Sequence, residues 1–228
     1  MDDMLTFEEI KNNAEIQMYF RYMGKYFEST NEAFNLIKRK SYDENHALQA
    51  AEVAERVLKY LGYKKREQEL SKIAAYIHDI GNIISKNGHD QSSAIMFLNI
   101  IGDDRYDEDV FTIASAVGCH EDKTAEPATP IAAAVVIGDK TDVSHERIGR
   151  EDLYDLDKHS LVVAACQKVN VIVNKEKMSI ELKIKIDSTI CSVMNYFEIF
   201  MSRINYCRRA SNVLKCNFEL YINDDKFL

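Results

Sequence analysis

Six side chains of metal-ligand type punctuate the first 140 residues: His46, the adjacent pair His78-Asp79, His89, His120 and Asp139. Imidazole nitrogens and carboxylate oxygens, with no thiolate among them, suit Mn, Fe, Co, Ni or Zn in an open catalytic site better than a closed structural zinc. A carboxylate can bridge two ions, and Asp79 is the natural candidate for that place. Two ions roughly 3.5–4 Å apart can clamp a phosphoryl group and bring the pKa of a water down towards ~7. The chemistry these residue types point to is hydrolysis at phosphorus, centred on Asp79. His89 and His120 would either ligate a second ion or transfer a proton, since imidazole does both. Lys140, Arg147 and Arg150 are candidates for the substrate phosphate. Glu121 and Asp142 are candidates for orienting ligand histidines. His145 and His159 read as surface residues.

The spacing of the apolar residues predicts the elements that position this set. Thr6-Phe7-Glu8-Glu9 reads as a capping box. Helices are expected over residues 46–61, 66–78, 89–101 and 107–118, with a fifth starting near Pro130; Gly62, Gly81 and Gly102 close the first three. Helices joined by short loops run antiparallel. His46 opens one helix, His78-Asp79 finishes the next, His89 opens the third and His120 finishes the fourth. All four termini therefore meet at one end of a bundle. A helix of about 12–16 residues spans roughly 18–24 Å, so ligands at opposite ends could not share an ion. Antiparallel alternation leaves Asp139 open, because its direction depends on how residues 121–129 cross over.

The last 70 residues or so change period. Val169, Val171 and Val173, then Ile180, Leu182, Ile184 and Ile186, alternate with polar residues as half-buried strands do. Asn174-Lys175-Glu176-Lys177 is the expected turn between them. A helix over 189–214 is predicted to bury Ile190, Val193, Met194, Phe197, Met201 and Ile204, and Cys216–Ile222 a final strand. The fold class expected is mainly α, with residues 1–155 a helical bundle and 156–228 a small α+β element of strand-strand-helix-strand order. That element would wall the pocket or mediate a homodimer.

Composition excludes other classes. The net charge of −8 argues against a nonspecific nucleic-acid binder. The basic cluster Arg203, Arg208, Arg209 and Lys215 reads as a solvated helix face. Five cysteines without a C-x-x-C pair fit reduced thiols, and Met1-Asp2-Asp3 lacks the start of a signal peptide. No apolar run approaches the ~20 residues of a membrane span. A soluble, cytoplasmic protein without membrane or polymer nucleic-acid partners is the expectation.

With these motifs in place, residues 30–150 resemble the HD-domain superfamily of metal-dependent phosphohydrolases. The superfamily's pattern, a His, then His-Asp, then a distant Asp, matches His46, His78-Asp79 and Asp139. Ile137-Gly138-Asp139-Lys140-Thr141-Asp142 resembles its segment around the last ligand, and so assigns Asp139. His89 and His120 match extra histidines that bind a second metal or assist catalysis in subsets of the superfamily. The resemblance implies a divalent transition metal, one ion or two, and a small phosphate ester as substrate, a nucleotide or related monoester or diester. The tail, through Val193–Phe200 and Cys207-Arg208-Arg209-Ala210, resembles that of a bacterial group of HD phosphohydrolases. One departure is Asn82, where many active members carry a lysine; Lys86 or Lys140 would take over its phosphate contact. The same ligands could also serve a di-iron oxygenase, or a non-catalytic nucleotide-binding regulator. The presence of all four core ligands disfavours a degenerate site.

Overall fold

The computed structural model describes residues 4–29, 44–105, 107–121, 125–143 and 158–228, so Arg147, Arg150 and His145 lie outside the described residues. The chain enters the bundle through two helices. α1 (Phe7–Lys11) starts where the Thr6 hydroxyl accepts a hydrogen bond from Glu9 N, and α2 (Ala14–Ser29) buries Ile16, Phe20 and Met23.

α3 (Glu44–Leu61) places Ala47, Ala50, Ala51, Ala54, Val57 and Leu58 on its buried side. The run of alanines lets neighbouring backbones approach closely. The helix stops at Gly62, whose φ of +88° suits only a residue without Cβ, and Tyr63 N closes back on Leu58 O at 3.0 Å. α4 (Lys65–Ile77) buries Leu70, Ile73, Ala74 and Ile77, and a short 3-10 turn (Ile80–Ile83) follows it. α5 (His89–Ile101) and α6 (Glu108–Gly118) complete the alternation, the latter capped by the Asp107 carboxylate on Val110 N at 2.9 Å.

α7 (Pro130–Lys140) is opened by Thr129 and a first-turn proline, and every residue from Ile131 to Lys140 is buried. A helix apolar on all sides belongs in the middle of a core. α7 accordingly packs against α3, α4, α6 and the long helix of the tail. Asp139 stands at the same end of the bundle as His120. α7 therefore repeats the direction of α6 instead of reversing it, and that shared direction is what brings Asp139 to the other ligands.

The tail begins with α8 (Lys158–Ala165), then β1 (Cys166–Asn174) and β2 (Ser179–Ile186), α9 (Val193–Val213), β3 (Asn217–Ile222) and a two-residue β4 (Asp225–Lys226). The sheet order is β1-β2-β3-β4; β1 and β2 are antiparallel, β2 and β3 parallel across α9, and β3 and β4 antiparallel. Val169, Val171 and Val173 face Ile184, Leu182 and Ile180 in register, the pairing that the alternation predicts. Asn174 Oδ1 accepts from Lys177 N at 3.0 Å in the hairpin turn. α8 and β4 go beyond the expected strand-strand-helix-strand order. Val162–Cys166 is a short apolar run that periodicity alone does not assign to helix or strand, and β4 is only a charged pair.

α9 corrects one expectation. It begins at Val193, because Asp187 Oδ1 holds Thr189 N in a turn and Ser192 caps the helix on Asn195 N. Its buried stripe is Tyr196, Phe200, Ile204, Cys207 and Ser211, whereas Met194 and Met201 are exposed. Apolar residues cover more than half of this helix, so the sequence alone did not identify the face turned to α7. No helix among the described residues is long and apolar enough to cross a membrane.

Candidate metal centre

Each histidine of the cluster is aimed by a bond at its outer nitrogen. His78 Nδ1 meets Ala75 O at 2.6 Å, His89 Nδ1 meets Lys86 O at 2.8 Å and His120 Nδ1 meets Val117 O at 2.7 Å. A carbonyl oxygen only accepts, so each Nδ1 carries the hydrogen and the Nε2 lone pair points inward. His46 is held differently, its Nδ1 lying 2.6 Å from Asp142 Oδ2. A carboxylate behind a ligand imidazole fixes its orientation.

The four Nε2 atoms converge on Asp79, whose two oxygens divide them. Oδ2 lies 3.4 Å from His78 Nε2 and 3.8 Å from His46 Nε2, while Oδ1 lies 3.0 Å from His89 Nε2 and 3.7 Å from His120 Nε2. Asp139 Oδ1 joins the first group, 3.5 Å from His46 Nε2 and 3.6 Å from His78 Nε2. Three overlapping triads have ligand atoms within 4.8 Å of one another: His46-His78-Asp79, His78-His120-Asp139 and Asp79-His89-His120. Residues 43–143, which include all of them, match the family described as HD domain. The chain contains an HD domain. Members of that superfamily are in general metal-dependent phosphohydrolases. No curated protein matches the chain.

The donor set of this HD domain fits a divalent ion. His78 Nε2 is sealed from solvent and makes no hydrogen bond, although a neutral imidazole pays for such burial. His89 Nε2 and His120 Nε2 stand 2.9 Å apart, where two bare lone pairs would repel unless a proton or a cation lies between them. Burial opposes ionisation at Asp79, Asp139, His78 and His89, yet the neighbouring charges overrule it there. Asp79 is held well below the usual carboxylate range chiefly by the charge of His78, with His89 at 3.0 Å adding to it, and Asp139 by Lys140 and His78. Burial would lower His78, but Asp79 and Asp139 carry it up to about 9. His89 is also raised, burial being outweighed by its bond to Asp79, whereas burial prevails at His120 and lowers it.

One prediction follows for the metal-free protein. An ion needs the His78 lone pair, which a proton occupies below about pH 9. Apparent metal affinity should rise with pH by roughly tenfold per unit for each proton displaced, and level off above the His78 pKa. Competition with a chromophoric chelator from pH 6 to 10 measures this, and an affinity flat between pH 7 and 9 would contradict it.

Lys140 is buried and pairs with Asp139 Oδ2 at 2.6 Å and with the Glu121 carboxylate. Glu121 Oε1 is 3.9 Å from His89 Nε2. Asn82, standing where a lysine was a possible phosphate contact, is buried and donates from Nδ2 to Asp79 O at 3.1 Å. Gly81 N donates to Ser93 Oγ at 2.8 Å, which ties the turn after Asp79 to α5. The exposed ring of His159 packs edge-on against Phe200. Sequence reasoning missed Tyr206, whose hydroxyl donates to Cys119 O and, at 3.0 Å, to Ala125 O on either side of His120. The tail motif was visible in the sequence; nothing in its periodicity indicated that this face meets the ligand loop.

Proposed function

We propose that this protein is a two-ion phosphohydrolase acting on a small phosphate ester, a nucleotide or a related monoester or diester. The observation that carries this reading is the division of Asp79, one carboxylate oxygen facing His46 and His78 and the other facing His89 and His120. His46, His78, Asp79 and Asp139 would hold one divalent ion, and Asp79, His89 and His120 the other. When bound, the ions would activate water and neutralise charge developing on the phosphoryl group.

The residues of the chain supply the rest. Carbonyls of Ala75, Lys86 and Val117, with the Asp142 carboxylate, fix four imidazoles before any ligand arrives, so little reorganisation remains to be done. The ionised carboxylates repel an incoming phosphate unless cations are already in place, so loading precedes substrate. His89, with Asp79 at 3.0 Å, is the proton donor to the leaving oxygen in any state where the second ion is absent. Lys140, expected to meet the substrate phosphate, is instead held by Asp139 and Glu121; Arg147 and Arg150 remain candidates for substrate contact.

The test is turnover of an aryl phosphate and a panel of nucleotides by protein reconstituted with Mn, Fe, Co, Ni or Zn. Metal-dependent phosphate release, abolished by a chelator, is the expected result. Oxygen consumption with an iron-loaded sample and no phosphate release would favour a di-iron oxygenase instead. Tight nucleotide binding without turnover would favour a regulator.

A further inference from the structure

We propose that Arg203, on α9, is the side chain that receives the substrate's phosphate at the edge of the metal cup; this rests on the phosphohydrolase reading. α9 lies along α7, the helix that carries Asp139 and Lys140. Tyr206 fastens the same stretch of α9 to the backbone flanking His120. Cys207 is buried, and burial pushes its thiol up to about 12 while the charges of Lys140 and Asp139 both act on it. Arg203 precedes Cys207 by one helical turn and so shares its face. It is only partly buried, and its charge is felt by Lys140.

The cations near the ligands differ in what already holds them. Lys140 is taken, since Asp139 and Glu121 both bind its ammonium. Arg209, on the same helix, pairs with Glu126 at 3.1 Å. The Arg203 guanidinium lies 5.2 Å from the centre of the Phe200 ring, and among the described residues no carboxylate pairs with it. An aromatic face steadies a guanidinium without neutralising it. A positive fork beside acid-rich ligands, held by a ring and free to accept a bidentate oxyanion, is the arrangement a phosphate-binding site requires.

The experiment uses the metal-loaded full chain, with Arg203→Ala and Arg203→Lys. Metal content is measured by elemental analysis, and the Kd of inorganic phosphate by calorimetry. Metal content should be unchanged, and the phosphate Kd should rise roughly ten- to a hundredfold in the alanine variant. The lysine variant should fall between, keeping the charge and losing the fork. With any ester that turns over, KM should rise by a similar factor with a smaller change in kcat. Unaltered phosphate binding in Arg203→Ala overturns the proposal, and so does loss of metal in both variants, which would make Arg203 a folding residue. Wild-type protein that binds phosphate through Arg203 but hydrolyses no ester would leave the anion site standing and remove the hydrolase reading. Turnover insensitive to both substitutions would do the reverse.

Discussion

Replacing Asp79 with alanine should leave a folded protein that retains at most a trace of metal and loses turnover by roughly a thousandfold or more. Loss of a group that merely orients a ligand costs about 10–100-fold in affinity or activity. Asp79 does more, since each of its oxygens faces a separate histidine pair and its removal strips an anionic donor from both candidate ion positions. Folding should survive, because the local turn is held through the Asp79 carbonyl by Asn82 and through Gly81 N by Ser93, not through the carboxylate. His78 would lose one of the two carboxylates that raise it, and its pKa would fall from about 9. Elemental analysis beside circular dichroism decides the matter. Wild-type metal stoichiometry in a folded Asp79→Ala protein would sink the assignment of the centre.

Gly138→Ala should be the other large effect, with a sign opposite to helix propensity. In an exposed helix this change gains roughly 1 kcal/mol. Here a Cβ would run into the Ala50 carbonyl oxygen and stand 3.2 Å from its carbon. Backbone cannot rotate aside, so α3 and α7 must part. Overpacking of a core costs about 1–3 kcal/mol and sometimes more. Taken at about 3 kcal/mol, this lowers Tm by roughly 6–12 °C for a chain of this size. His46 lies one turn before Ala50 and Asp139 adjoins Gly138, so the 3.5 Å approach of these two ligands would widen as well. Thermal unfolding with and without metal should show both a lower Tm and a smaller stabilisation by the ion. A variant as stable as wild type would refute the close helix contact.

Sequence reasoning reached the cluster unevenly, for physical reasons. Short loops force neighbouring helices to alternate, so the meeting of His46, His78, Asp79, His89 and His120 could be read from spacing and glycine stops alone. Asp139 could not be placed that way. α7 runs in the same direction as α6, and no local pattern records such a break in the alternation. The strands β1 to β3 were plain in their period of two, whereas the two-residue β4 offers too little to repeat. The orientation of α9 was hidden because its sequence carries two adjacent apolar stripes. Only α7 decides which one is buried, and with it the burial of Tyr206 and Cys207.

The burial of α7 on every side has a bearing on how the protein is assembled. One flank of that helix is closed by α9, which itself bridges two parallel strands and so is anchored only once β3 has formed. A ribosome that has released residues 43–143 has delivered every ligand, yet the helix bearing Asp139 still has an oily side bare to water. The tail therefore completes the core around the helix that bears Asp139, and a chain truncated before α9 should be markedly less stable than the full one.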